Sequence, residues 1–138
     1  MPVPEPPQDG RGQESPLVLI VDDDARNLKL TRDVLLAAGC RTLAAETGNE
    51  AVALAAEHLP DVILMDLRLP DMDGTDAARI LRGETRTAVI PVVLLSSISL
   101  EEDTAWLGDA GFAGYLAKPI DIDEFPGQVR RFCRRGVG

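Results

Sequence analysis

Short apolar runs recur along the chain, each breaking off at a polar or charged residue, and this recurrence limits the available folds more than any other feature. The sharpest is Val62-Ile63-Leu64-Met65, which runs into Asp66 and is closed by the turn residues Pro70, Asp71 and Gly74. An apolar run of this length, bounded by turn residues, reads as a strand buried on both faces. Leu17–Val21 is equally apolar and ends in Asp22-Asp23-Asp24. Ile90–Leu95 ends in Ser96-Ser97, with Pro91 near the strand start because proline cannot donate to a central ladder. Gly114–Ala117 ends in Lys118-Pro119, and Arg41–Ala45 is the weakest of the five.

Helical periodicity fills the intervals. Leu28, Thr31, Leu35 and Ala38 share one face, and Gly39 is placed to stop that helix. Thr47 and Glu50 form a capping box for a helix through Glu57, ended by Leu59-Pro60. A third helix is expected over about Thr75–Arg82, with Gly83 after it. Ser99 and Glu102 form a capping box for a fourth, ending near Gly111. Asp121 or Asp123 is expected to start the last, where Pro126 is tolerable only in the first turn.

Strand and helix thus alternate five times. Units of this size imply a parallel sheet with helices on both faces and right-handed crossovers. The expected fold is an α/β, flavodoxin-like (βα)5 doubly wound sheet of five strands in the order 2-1-3-4-5. One domain over 17–135 is expected, preceded by a proline-rich tail at 1–16 with no apolar period, which reads as disordered.

Bulk properties exclude several functions. With 23 acidic and 14 basic side chains the net charge is −9, which argues against non-specific binding to nucleic acid or an anionic membrane. No apolar run approaches the roughly 20 residues of a membrane span, and no basic-then-apolar secretory leader is visible, so a cytoplasmic protein is expected. Cys40 and Cys133 lack metal-type spacing and read as reduced thiols.

The strand ends carry the chemistry. Asp22 and Asp23 follow the first strand, Asp66 ends the third, Ser96 the fourth, and Lys118 follows the fifth. In the order 2-1-3-4-5 the first and third strands are neighbours about 5 Å apart, so three carboxylates crowd one small site. They cannot all stay ionised without a cation. A hard divalent ion suits an all-oxygen set, and Mg2+ fits best because it accepts one or two carboxylates, keeps waters and shares oxygens with phosphate. A carboxylate can act as a nucleophile toward phosphorus, with the metal, an ammonium and a hydroxyl neutralising the transferred group.

These residues resemble the receiver domain of two-component response regulators. The similarity is carried by Leu17–Asp23 (LVLIVDD), Asp61–Gly74 (DVILMDLRLPDMDG), Ile90–Ser96 (IPVVLLS) and Gly114–Pro119 (GYLAKP), and spans roughly Leu17 to Arg135. The resemblance implies that Asp66 accepts phosphate from a sensor histidine kinase or a histidine phosphotransfer protein. Asp22, Asp23, Asp66 and the backbone carbonyl of Arg68 would hold Mg2+, and Ser96 and Lys118 would bind the phosphoryl group. Tyr115 matches the aromatic switch that swings inward when the hydroxyl moves to the phosphate, and the Lys118-Pro119 bond would be cis. The chain would then be a phosphoacceptor signalling domain, not a metabolic enzyme, catalysing only its own phosphorylation and slow dephosphorylation. Only Gly136-Val137-Gly138 follow Arg135, so a free-standing protein, a monomer or weak dimer that relays phosphate to a histidine phosphotransfer domain or binds a downstream protein target, is expected over a domain excised from a hybrid kinase. Arg68 and Ile98 depart from the family's commonest pattern; neither readily positions water for in-line attack, so a long-lived phosphoryl-aspartate is expected.

Two other functions compete. Asp71-Met72-Asp73-Gly74-Thr75 matches DxDGT, the nucleophile motif of haloacid-dehalogenase-type phosphatases. That motif needs an apolar strand directly before its first aspartate, whereas Arg68-Leu69-Pro70 intervenes and Asp22 and Asp23 are left without a role. The other is a constitutive, unphosphorylated interaction module, against which the full set of Asp22, Asp23, Asp66, Ser96 and Lys118 argues. Among the remaining polar residues, Asp24 reads as a helix N-cap and Asp71 and Asp73 as loop carboxylates around Gly74. His58 reads as a surface histidine, Trp106 as partly exposed without an obvious partner, and Arg130, Arg131, Arg134 and Arg135 as a solvated face.

Overall fold

The computed structural model describes residues 15–96 and 105–133. Its elements are β1 (Leu17–Val21), α1 (Ala25–Ala37), β2 (Arg41–Ala45), α2 (Gly48–His58), β3 (Val62–Asp66), α3 (Gly74–Gly83), β4 (Val92–Ser96), α4 (Ala105–Ala110), β5 (Gly114–Ala117) and α5 (Phe125–Phe132). The five strands form one parallel sheet in the order β2-β1-β3-β4-β5, as the alternation predicts. Ser97, Ile98, the Ser99/Glu102 pair, Arg134, Arg135 and positions 1–14 of the tail lie outside the described residues.

Val18–Val21 of β1 and Val62–Met65 of β3 are buried because both faces of the sheet are covered. Leu19, Val21, Ile63 and Met65 point to one side, where they pack with Ala51 and Ala55 of α2, Ala77 and Leu81 of α3 and Leu107 of α4. Val18, Ile20, Val62 and Leu64 point to the other, against Val34 and Leu35 of α1 and Phe125 and Val129 of α5. The period-two alternation of a strand thus divides one apolar run between two cores. Each such side chain contributes roughly 1.5–3 kcal/mol on burial.

Helix ends follow the sequence with informative exceptions. Asp24 caps α1, its carboxylate accepting from the Arg26 and Asn27 amides at 2.9 and 3.3 Å. Thr47 caps α2 through the Glu50 amide at 3.0 Å, but the returning Glu50 carboxylate takes the Glu46 amide, one residue earlier than a capping box requires. α3 begins at Gly74, with Asp73 as its N-cap and the Asp76 carboxylate accepting from the Asp73 amide. α5 begins later than expected, with Glu124 as N-cap. Asp121 instead closes the preceding turn by accepting from the Asp123 and Glu124 amides. β4 begins at Val92, so Pro91 precedes the ladder.

Three side-chain contacts to the backbone, two of them long-range, have no local signature. Arg130, expected on a solvated face, donates to the Ala38 carbonyl at 2.7 Å, satisfying the end of α1 where Gly39 turns out at φ +90°. Asp61 is buried and accepts from the Leu17 amide at 2.8 Å, tying the start of β1 to that of β3. Thr87 donates to the Leu81 carbonyl at 2.6 Å and closes the end of α3.

Candidate metal and phosphoryl site

Register places the acidic residues. Val21 pairs with Met65 across β1 and β3, so Asp22 and Asp66 occupy the next positions side by side. The carboxylate oxygens of Asp22, Asp23 and Asp66 all lie within 4.8 Å of one another. Asp22 is buried, at 1% exposure, and fixed: its amide donates to the Ala45 carbonyl at 3.0 Å and its Oδ1 accepts from the Asp24 amide at 2.9 Å. Asp23 is exposed and Asp66 half-buried.

Lys118 supplies the opposing charge from two strands away. β5 lies beyond β4, so a group following it must span about 10 Å to reach the end of β3, which asks for a long side chain. Its Nζ lies 3.1 Å from Asp22 Oδ2 and 3.7 Å from Asp66 Oδ1. Its amide donates to the Ser96 carbonyl at 2.8 Å, so the buried serine at the end of β4 and the lysine after β5 are held in one register. The Lys118-Pro119 peptide bond is cis, as expected.

Three carboxylates against one ammonium leave two negative charges uncompensated. Burial pushes the Asp66 carboxyl above its ordinary value. Lys118 and the Leu67 amide oppose that rise, and Asp22 and Asp23 reinforce it. A divalent cation seated on these oxygens would relieve the repulsion, and the hard, all-oxygen donor set fits Mg2+. Arg68, exposed, lies in the turn two residues past Asp66 and bridges to Asp73. Tyr115 pairs with Leu94 in the β4–β5 ladder and is partly buried against the core on the α2–α4 side.

Asp71 and Asp73 are not at this site. The Asp71 carboxylate accepts from the Gly48 and Asn49 amides at 2.8 and 2.9 Å, so it caps α2 and is no idle loop carboxylate. Those two bonds hold its carboxyl below the usual range. The first aspartate of the DxDGT pattern, the nucleophile of the phosphatase reading, is therefore engaged at a helix start.

The other singled-out residues lie elsewhere. His58 ends α2 beside Glu57, at 3.8 Å. Trp106 does have a partner: its ring meets Phe112 edge to face at 6.3 Å. Cys40 and Cys133 are buried free thiols; burial pushes Cys40 up, with Arg130 opposing. Among the described residues no helix is long and apolar enough to cross a membrane.

The family model for the response regulator receiver domain matches residues 18–130. The polar-differentiation response regulator DivK of Brucella ovis is 34% identical over 115 residues, 83% of this chain and 94% of the relative. Among solved structures, the receiver domain of a response regulator of Francisella is 30% identical with a TM-score of 0.79, covering 90% of this chain and 100% of its own. The receiver domain of a sensor histidine kinase of Pseudomonas aeruginosa PAO1, which carries a magnesium ion coordinated in its active-site cleft, is 31% identical with a TM-score of 0.77, covering 86% and 97%.

Proposed function

This chain belongs to the response regulator receiver domain family, and we propose that Asp66 is its phosphoacceptor. The observation that carries the proposal is the meeting of Asp22, Asp23, Asp66 and Lys118 from three strand ends at one rim of the sheet. Asp22, Asp23, Asp66 and the Arg68 carbonyl hold Mg2+, which when bound offsets charge on the transferred group. An Asp66 oxygen attacks phosphorus while the P–N bond of a donor phosphohistidine breaks, and the imidazole leaves. The Lys118 ammonium and the Ser96 hydroxyl take up phosphoryl oxygens.

Ser96 is drawn to the phosphoryl group, Tyr115 fills the vacated space, and the face of α4, β5 and α5 changes its affinity for a downstream protein. The donor is a sensor histidine kinase or a histidine phosphotransfer protein, and the setting is cytoplasmic. Arg68, with Ile98, gives no ready handle for positioning a hydrolytic water, which supports a long-lived phosphoryl-aspartate. Decay within seconds in Mg2+ buffer would remove that part of the proposal.

The test is phosphorylation by acetyl phosphate with Mg2+ or with EDTA, read by intact mass. The expected result is one added phosphoryl group with Mg2+ and none with EDTA. Absence of the adduct from acetyl phosphate, and again from a phosphorylated kinase domain, would favour the constitutive interaction module instead.

A further inference from the structure

The loop that follows Asp66 is anchored at three levels. At its base the Gly74 amide donates to the Leu67 carbonyl, and a Cβ on Gly74 would lie 2.4 Å from the Asp66 carbonyl oxygen. Midway, Arg68 bridges to Asp73 and the Leu69 amide donates to the Met72 carbonyl at 3.2 Å. At the tip, Asp71 grips the first two amides of α2, and Met72 lies so close to Gly48 that a Cβ there would fall 2.5 Å from its side chain. The base and middle restrain the loop against itself. The tip, by contrast, hydrogen-bonds to a separate element, 22 and 23 residues away in sequence.

We propose that Asp71 is a positioning residue for the cation site: by clamping the loop tip to the start of α2, it fixes the backbone at Arg68, whose carbonyl is the site's ligand from outside the strand ends. The inference rests on the proposed Mg2+ reading. A carbonyl ligand carries no side chain that can adjust, so its place is set wholly by the loop that bears it. At the tip Pro70 and Asp71 are exposed and Met72 is partly buried against the core beside Gly48, so Asp71 supplies the polar half of the tether. The depressed carboxyl of Asp71 agrees with two amide donors held at short range.

Asp71 also stabilises α2 by occupying its positive end, so the test separates the two roles. Asp71→Ala removes both. The double variant Asp71→Ala/Asn49→Asp returns an acidic side chain to the first turn of α2 but leaves the loop tip without its hydrogen bonds to that helix. Mg2+ binding is measured by isothermal titration calorimetry on folded protein, with melting temperatures with and without Mg2+ as a second readout. The expected result is Mg2+ binding about 10-fold weaker in both variants, the size typical of losing a group that orients a ligand. Binding by the double variant within about twofold of the parent, against that expectation, would reduce Asp71 to a helix cap and overturn the proposal. A parent protein with no Mg2+ response would overturn the cation reading itself, an outcome visible before any variant is compared.

Discussion

Asp66 and Asp71 stand five residues apart on one connection, yet their surroundings drive them in opposite directions. Asp66 sits at a buried strand end among like charges, and its carboxyl is raised; Asp71 sits on an exposed loop tip with two amide donors, and its carboxyl is lowered. The first shares one ammonium, 3.7 Å away, with two neighbouring carboxylates, the setting whose charge the proposed cation would offset. The second is already satisfied by the protein. A motif reading centred on DxDGT would choose the satisfied aspartate, so the environment, not the local pattern, decides which carboxylate is available for chemistry.

The comparison is broken most completely by exchanging the two carboxylates for amides in turn. Asp66→Asn is expected to abolish the acetyl phosphate adduct in an intact-mass assay, while Asp71→Asn keeps it. Next in size is the charge balance around Asp66. Lys118→Met leaves the buried Asp22 without its ammonium, and urea unfolding in EDTA is expected to show a loss of about 3 kcal/mol. Mg2+ is expected to restore part of that loss, whereas an effect blind to Mg2+ would mean that Lys118 and the cation do not share these carboxylates.

Gly74 lies between the two regions and separates backbone packing from charge. Gly74→Ala forces a methyl group against the Asp66 carbonyl, and a loss of about 2 kcal/mol is expected by urea unfolding in EDTA. The smallest effect belongs to Asp71 itself. Its carboxyl is lower in the folded than in the unfolded chain, so its contribution is fully present above the ordinary value of about pH 4. That contribution fades as pH falls through the lower folded value. The stability difference between the parent and Asp71→Asn, followed by urea midpoints, is therefore expected to hold near neutrality and vanish in acid.

Much of this was legible in the residues. β1 and β3 have the bounds their apolar patterns indicate, because a strand covered on both faces leaves a continuous run with turn residues beside it, and the partly buried edge strands β2 and β5 have their expected bounds as well. The meeting of the candidate site residues was legible for a related reason: each follows or ends a strand, and the order 2-1-3-4-5 brings those ends together. What the pattern did not carry was side-chain traffic between distant segments. Arg130 reaches Ala38 across 92 residues, Asp61 reaches Leu17 across 44 and Asp71 reaches Gly48 across 23. Each is a polar residue with an ordinary local setting, and its partner is a backbone group that any residue could offer. Gly74 was legible as a turn residue, but its closeness to the Asp66 carbonyl depends on how α3 docks on the end of β3.

The central claim, that Asp66 is the residue phosphorylated, is met most directly by mapping the modification. Protein treated with acetyl phosphate and Mg2+ would be reduced with borohydride, which converts an aspartyl phosphate to homoserine, and the peptides sequenced by mass spectrometry. Homoserine at position 66, with aspartate intact at 71, is the result predicted. Homoserine at position 71 and aspartate intact at 66 would contradict the account.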